Sequence, residues 1–180
     1  MDYLTKPTSR DDLRRLSRVL RQLFNCPPTG PFPVLEALER IGDVFEGSNY
    51  IILEDNKLPS KTMAQCYQND QGGFTIEIKE SVYTGAYEKK VGAFLGFICH
   101  EICHVFLFKI GFTPICTRSF ENDEIPKYRS VEWQAKALCG ETMIPFEESA
   151  QMSKHQIMDR YHVSKAFAEV RLNQKHPQKH

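Results

Sequence analysis

The chain has 180 residues, of which 41% are hydrophobic and 26% are charged. This length and composition are typical of an ordinary globular protein that can bury a core without disulfides. The 23 basic and 23 acidic residues cancel, so net charge excludes a general electrostatic argument for binding nucleic acid or a membrane surface.

Neither the first residues nor the cysteines indicate a secreted or membrane protein. The chain starts with polar and charged residues, unlike a signal peptide. Its longest apolar run is interrupted by His100, Glu101 and His104, unlike a membrane span. The six cysteines include no Cys-x-x-Cys pair, which favours free thiols over disulfides. We therefore expect a cytoplasmic protein.

The N-terminal quarter is predicted to be helical. Thr8 or Ser9 can cap a helix that begins at Arg10, with leucines at helical spacing on one face. The other face is basic and is interpreted as a solvated surface or, alternatively, as a contact for nucleic acid. It carries Arg10, Arg14, Arg15, Arg18 and Arg21. Prolines within 25–31 end this helix, and a second helix is predicted from Pro33 to Arg40, ending near Gly42.

From position 49 the pattern changes to that of strands. Segments 50–53, 62–67 and 74–78 are predicted to be short strands, separated by turn-rich segments at 55–59 and 69–73. The second of these separators is a strong turn signal. We expect a small antiparallel meander that leads directly to the next helix.

That next helix is predicted to start between 84 and 87 and to continue to about Phe108. Residues Val91, Leu95, Ile98 and Ile102 share one face and are expected to be buried. Two glycines on it, Gly92 and Gly96, could let a neighbouring backbone approach closely. After Gly111, segment 112–127 is interpreted as a loop near a cleft.

The helix contains the pattern His-Glu-x-x-His at 100–104. Residues four apart lie about 40° apart around a helix, so His100 and His104 can present two imidazoles to one metal ion, usually zinc. Glu101 lies about 80° from that direction, where it could act as a general base on a water at the metal. The alternative is a pair of core histidines. The apolar surroundings favour a metal site, because unpaired His and Glu side chains are costly to bury.

A further helix is predicted from Ser130, its cap, to the position before Pro145. Glu132 lies in its first turn, with enough intervening chain for this helix to fold back against the His pair. Spacing alone leaves two interpretations open for Glu132: a third metal ligand, or an acidic residue that favours the helix N-terminus.

Taken together, these segments resemble the ImmA/IrrE family of metallo-endopeptidases. The resemblance rests on the motif at 100–104, the Glu-x-x-Ala helix at 132–145 with its terminal hydrophobic pair and proline, and the helical pair at 152–172 with its Val-Ser and Arg-Leu signature. It covers about residues 30 to 173. By similarity, His100, His104 and Glu132 would bind zinc in a gluzincin arrangement, and Glu101 would be the catalytic base.

The resemblance also implies a protein substrate. Members of the family typically cleave a helix-turn-helix repressor and so relieve repression of a mobile element or a stress response. Tyr128 and Arg129, just upstream of Glu132, are candidates by position for stabilising the oxyanion. Cys103 and Cys139 depart from the small residues usual in the family. Cys103 is interpreted either as a small buried residue or as a thiolate ligand that would close the metal site.

The predicted fold class is α+β: a mainly helical metalloprotease domain with a small three-stranded antiparallel sheet and a short C-terminal helical pair. We divide the chain into an N-terminal helix (1–28), a zinc metallopeptidase core (29–148), and the helical pair with a disordered tail (149–180).

Three functions compete on sequence grounds. The first is a zinc endopeptidase that acts on a regulatory protein. The second is a zinc-binding regulatory module without turnover. The third is a DNA-binding regulator, with a recognition helix carrying Lys165, Glu169 and Arg171. That basic set is thin, so direct binding of nucleic acid is not expected, and neither is a membrane partner.

Overall fold

The computed structural model describes residues 2–115 and 125–175. Within these residues the fold is α+β, with nine helices and one three-stranded sheet. The helices are α1 (Arg10–Leu23), α2 (Val34–Glu39), α3 (Ile41–Val44), α4 (Glu80–Lys89), α5 (Gly92–Lys109), α6 (Val131–Met143), α7 (Phe146–Ser149), α8 (Lys154–Tyr161) and α9 (Lys165–Lys175). The strands are β1 (Asn49–Leu53), β2 (Ala64–Gln68) and β3 (Phe74–Lys79). Cys116, part of the expected loop and the expected disordered tail lie outside the described residues.

The first helix begins where the sequence predicts. Ser9 is its cap and forms a reciprocal capping box with Asp12. Its apolar face is buried against α6. The interpretation of its basic face as solvated is wrong for Arg21, which is only 1% exposed and donates to four backbone carbonyls. The second predicted helix also ends earlier than expected, at Glu39, because Gly42 belongs to the separate short helix α3.

The sheet is mixed, which corrects the expected antiparallel meander. Its strand order is β1-β3-β2; β1 is parallel to β3, and β2 is antiparallel to β3. The tight turn at 69–73 correctly predicts the β2–β3 hairpin. The long connection from β1 to β2 contains a 3-10 turn at Asp55–Lys57 and carries the chain to the far side of β3. Side-chain alternation identifies strands but not their neighbours, so this pairing was missed.

The helix predicted from 84–87 to 108 is in fact two helices. Lys90 adopts a left-handed conformation (φ 49°) that ends α4, and Val91 precedes the first turn of α5. A Cβ at Gly92 would lie 2.6 to 2.7 Å from backbone atoms of residues 162–164, so close backbone approach is confirmed there. At Gly96 the expectation is wrong, because the neighbour is the Phe167 ring at 3.6 Å.

The central element is α5. It contacts α2, α4, α6, β2 and β3, and its residues Ile98, Ile102 and Phe106 are fully buried. By length and apolar composition alone, α5 is also the one helix in the described ranges that could cross a membrane. Half of that span is buried inside the protein, which is what a core helix would show as well.

The predicted C-terminal helical pair is present as α8 and α9, and α9 is tied to α6 by buried charges. The Glu141 side chain is 0% exposed and lies 3.1 Å from Arg171, 3.2 Å from Arg14 and 3.7 Å from Arg10. Arg171 also donates to the carbonyls of Gly140 and Ile144. One carboxylate therefore connects α1, α6 and α9.

Replacing this carboxylate should destabilise the protein strongly. Glu141→Ala leaves buried arginine charge without its partner, which we expect to lower the free energy of unfolding by about 3–5 kcal/mol. Glu169→Ala is the matched control, because the Glu169 side chain is 47% exposed and pairs only with lysines, and its loss should cost less than about 1 kcal/mol. Urea denaturation of both variants measures the difference. Equal losses would contradict the role assigned to Glu141.

Candidate metal centre

Two facing helices bring three candidate ligands together. His100 and His104 are one turn apart on α5. Ser130 caps α6 by accepting a hydrogen bond from the Trp133 backbone, which fixes the first turn that carries Glu132. The Nε2 atoms of the two histidines are 3.0 Å apart, and the Glu132 carboxylate oxygens lie 3.4 Å from His100 and 3.3 Å from His104.

These separations fit a tetrahedral metal ion. Ligand atoms at about 2.0–2.2 Å from a tetrahedral centre lie about 3.3–3.6 Å from one another. The observed distances of 3.0 to 3.4 Å need only a small adjustment to match. The side chains are 13% to 28% exposed, so the centre is reached from solvent. The described residues thus contain a cluster able to hold a metal ion.

The electrostatics of the cluster favour a cation. Hydrogen bonds from His100 and His104, opposed by partial burial, hold the pKa of Glu132 well below its usual range. Its carboxylate is therefore negatively charged where the two imidazole nitrogens converge. A neutral imidazole with a lone pair at Nε2 is a metal ligand, and a carboxylate completes a common zinc set.

Glu101 lies beside the ligands and is in a different electrical environment. It is 8% exposed and lines the same cleft as His100, His104 and Glu132. Burial raises the pKa of its carboxyl, opposed by the two histidines and by a hydrogen bond with the Cys66 thiol. Burial, with the charge of Glu101, raises the pKa of the Cys66 thiol too, so this thiol is the hydrogen-bond donor.

The cleft is about 610 Å³ in volume and runs between α5 and strand β2. A continuous stretch of the chain, 61–68, forms one wall, and Phe97 and Phe108 of α5 contribute apolar surface opposite the metal cluster. Phe97 is 42% exposed, which is high for a phenylalanine. A cleft of this size, with apolar walls and a few convergent polar groups, is typical of a ligand or substrate site.

An N-terminal segment that sequence reasoning missed fixes the start of α6. The Asp2 carboxylate accepts hydrogen bonds from the Glu132 backbone N–H (3.1 Å) and the Ser130 hydroxyl (2.7 Å). The Tyr3 carbonyl accepts from the Val131 N–H at 3.2 Å. The Tyr3 ring lines the cleft, where burial, Cys66, Glu132 and Asp2 raise its pKa to about 12. No local pattern in the sequence signals this long-range pairing.

The remaining candidates lie elsewhere. Tyr128 is 54% exposed in the 3-10 turn Lys127–Arg129 and does not line the cleft. The Arg129 side chain donates to the Thr5 carbonyl. Cys103 is fully buried in a separate group with Cys99 and Cys139, so it is not grouped with the histidine ligands. Cys66, which the sequence suggested only as a free thiol, is instead part of the cleft.

Comparison with known proteins identifies no family for the chain. No family model matches it, and no curated protein matches it at a significant level. The site is therefore interpreted from its own geometry and from the sequence motifs.

The ligand set can be tested by removing its members one at a time. Changing an outer-shell partner of a metal site typically lowers affinity 10- to 100-fold, so losing a ligand should cost more. We expect His100→Ala, His104→Ala and Glu132→Ala each to weaken zinc binding at this centre by more than about 100-fold. His155→Ala, on the exposed surface of α8, is the control and should bind as the unmodified protein does. Competition with a fluorescent zinc chelator measures the affinities, and unchanged binding in any of the three would remove that residue from the set.

Proposed function

We propose that the chain is a zinc-dependent endopeptidase of the ImmA/IrrE type that acts in the cytoplasm. The observation that supports this most directly is the convergence of His100, His104 and Glu132 beside the buried carboxylate of Glu101, all facing one cleft. A purely structural metal site would not need an acid of raised pKa opening into the same cleft. The five cysteines of the described residues are free, in keeping with a reducing compartment.

An extended peptide is the substrate that the cleft favours. Within the described sheet, β2 is an edge strand, because β3 pairs with it on one side only. Hydrogen bonds from Lys79 N–H to the Met63 carbonyl and from Asn69 N–H to the Gly73 carbonyl set the alternation of the ladder. Odd-numbered residues of β2 therefore point their backbone groups toward β3. The backbone groups of Ala64, Cys66 and Gln68 point outward, where a peptide could add as a further strand.

The mechanism assigns each step to a side chain of this protein. His100, His104 and Glu132 would hold the zinc ion, which when bound supplies the Lewis acidity that activates water and polarises the scissile carbonyl. The Glu101 carboxylate accepts the proton of the attacking water. The same carboxyl then donates that proton to the nitrogen of the leaving amine. Its burial suits both roles, because a raised pKa brings the carboxyl closer to neutrality than that of an exposed glutamate.

The proposed physiological substrate is a helix-turn-helix repressor whose cleavage relieves repression of a mobile element or a stress response. This part of the proposal rests on the resemblance of segments 100–104, 132–145 and 152–172 to the family. A DNA-binding role for α9 is less well supported, because Arg171 is 2% exposed and paired with Glu141 and so cannot contact DNA.

A second function is favoured by one contact. Glu101 is hydrogen-bonded to the Cys66 thiol across the cleft, so its carboxylate is already engaged before any substrate binds. A zinc-binding regulatory module without turnover would retain such a contact. The two functions differ in whether Glu101 is needed for bond cleavage.

Glu101→Gln separates these functions. The substitution keeps the size of the side chain but removes the base, so we expect peptide cleavage to fall about 10²- to 10⁴-fold while zinc content stays the same. Glu88→Gln on the exposed surface of α4 is the control and should leave cleavage unchanged. Cleavage is measured by mass spectrometry on a proteome-derived peptide library and on the helix-turn-helix protein encoded beside this one. An unmodified protein that binds zinc but cleaves nothing would support the regulatory module instead.

The role of the β2 edge can be tested with a matched pair at one position. Cys66→Ala and Cys66→Pro both remove the thiol, but only proline removes the backbone N–H that faces the cleft. Proline is tolerated on an edge strand where the N–H points outward. We expect cleavage by the proline variant to be about tenfold lower than by the alanine variant, the worth of one hydrogen bond. Equal rates, with circular dichroism showing both variants folded, would exclude strand addition at this residue.

A further inference from the structure

A second group of metal-ligating side chains lies behind the histidine site. Cys99 and Cys103 are one turn apart on α5, and Cys139 faces them from α6. Their sulfur atoms all lie within 4.8 Å of one another, and the three residues are 0%, 0% and 2% exposed. The arrangement repeats that of the histidine centre: two residues four apart on α5 and one from α6.

We infer that Cys99, Cys103 and Cys139 form a second, structural metal site for a soft d10 cation, Zn²⁺ or Cu⁺, that joins α5 to α6. This site is separate from the proposed catalytic centre and does not depend on the function proposed for it. Thiolates are the preferred ligands of both cations.

The sulfur positions fit this coordination. Metal–sulfur bonds of about 2.3 Å place thiolates about 3.8–4.0 Å apart in tetrahedral or trigonal geometry. The three thiols reach that spacing by contracting by less than about 1 Å from the 4.8 Å limit. A fourth sulfur is close by, because the Met143 Sδ atom lies 3.8 Å from the Cys139 Sγ atom. A thioether is a further soft ligand, of the kind that Cu⁺ accepts.

The surroundings can balance the charge. Three thiolates with a divalent ion carry one net negative charge, and buried charge is costly without a counter-ion. Arg21 is 1% exposed and lies within electrostatic range of Cys99. Its N–H groups donate to the neutral carbonyls of Pro27, Thr29, Gly30 and Thr142. These contacts leave its positive charge available to a negatively charged cluster.

Two other uses of three buried thiols compete with a metal. They could pack as small apolar side chains, as buried cysteines commonly do. Alternatively, Cys139 could form a disulfide with a cysteine of α5. The three states differ in metal content, in the absorption of bound cobalt and in protein mass, so one set of measurements separates them.

The test is metal stoichiometry of the full-length protein, by mass spectrometry after loading with Zn²⁺ or with Cu⁺ under reducing conditions. We expect two Zn²⁺ ions, or one Cu⁺ held by the cysteines, per chain. Cys139→Ala should lose the cysteine-bound ion and Glu132→Ala the other, while Cys26→Ala, a half-buried cysteine outside the cluster, should lose neither. A chelator should remove the solvent-accessible ion at the histidines first and the buried ion only on unfolding.

Cobalt substitution of the unmodified protein gives a readout that needs no variant. Thiolate-to-Co²⁺ charge transfer absorbs strongly in the near ultraviolet, whereas His and Glu ligands give no such band. We expect this band in the unmodified protein and in Glu132→Ala, and not in Cys139→Ala. A single Zn²⁺ per chain that Glu132→Ala abolishes and Cys139→Ala leaves intact, with no charge-transfer band, would overturn the inference. So would an intact mass about two daltons low, which is the mark of a disulfide.

Discussion

The candidate site depends on the packing of α5 against α6. Each helix is ordinary by itself, and neither forms a metal centre alone: α5 supplies the two imidazoles and α6 supplies the carboxylate, at distances of 3.0 to 3.4 Å. The other elements hold these two helices in place. The sheet and α4 cover α5 on one side, and α1 covers α6 on the other. A shift of about 1 Å between the helices would separate the ligands.

Helix α6 is fixed at both of its ends by charged and polar contacts. At its start, Ser130 and Asp2 satisfy backbone N–H groups next to Glu132. Near its end, the buried carboxylate of Glu141 pairs with arginines from α1 and α9. Two acids on one helix thus have opposite roles. Glu141 is sealed from solvent among cations and stabilises the fold, whereas Glu132 is 28% exposed and faces the cleft. This difference in environment separates a structural acid from a candidate ligand.

The features that the sequence predicted well are those encoded locally. The capping boxes, the β2–β3 turn, the helical periodicities and the spacing of His100 and His104 each need only a few neighbouring residues, and all are present. The position of Glu132 opposite the histidines followed from the family resemblance, since spacing alone left it open. The features that were missed are long-range: the parallel pairing of β1 with β3, the docking of Asp2 on α6, and Cys66 beside Glu101. The break at Lys90 was missed for another reason, because a lysine in a left-handed conformation leaves no pattern in the apolar periodicity.

The central claim is that α5 and α6 together hold one metal ion between His100, His104 and Glu132. Anomalous X-ray diffraction at the zinc absorption edge, on crystals of the zinc-loaded protein, tests it most directly. The account predicts an anomalous peak within about 2.0–2.2 Å of both histidine Nε2 atoms and of a Glu132 carboxylate oxygen. Zinc-loaded crystals with no peak at this position, or with an ion there that Glu132 does not touch, would contradict it.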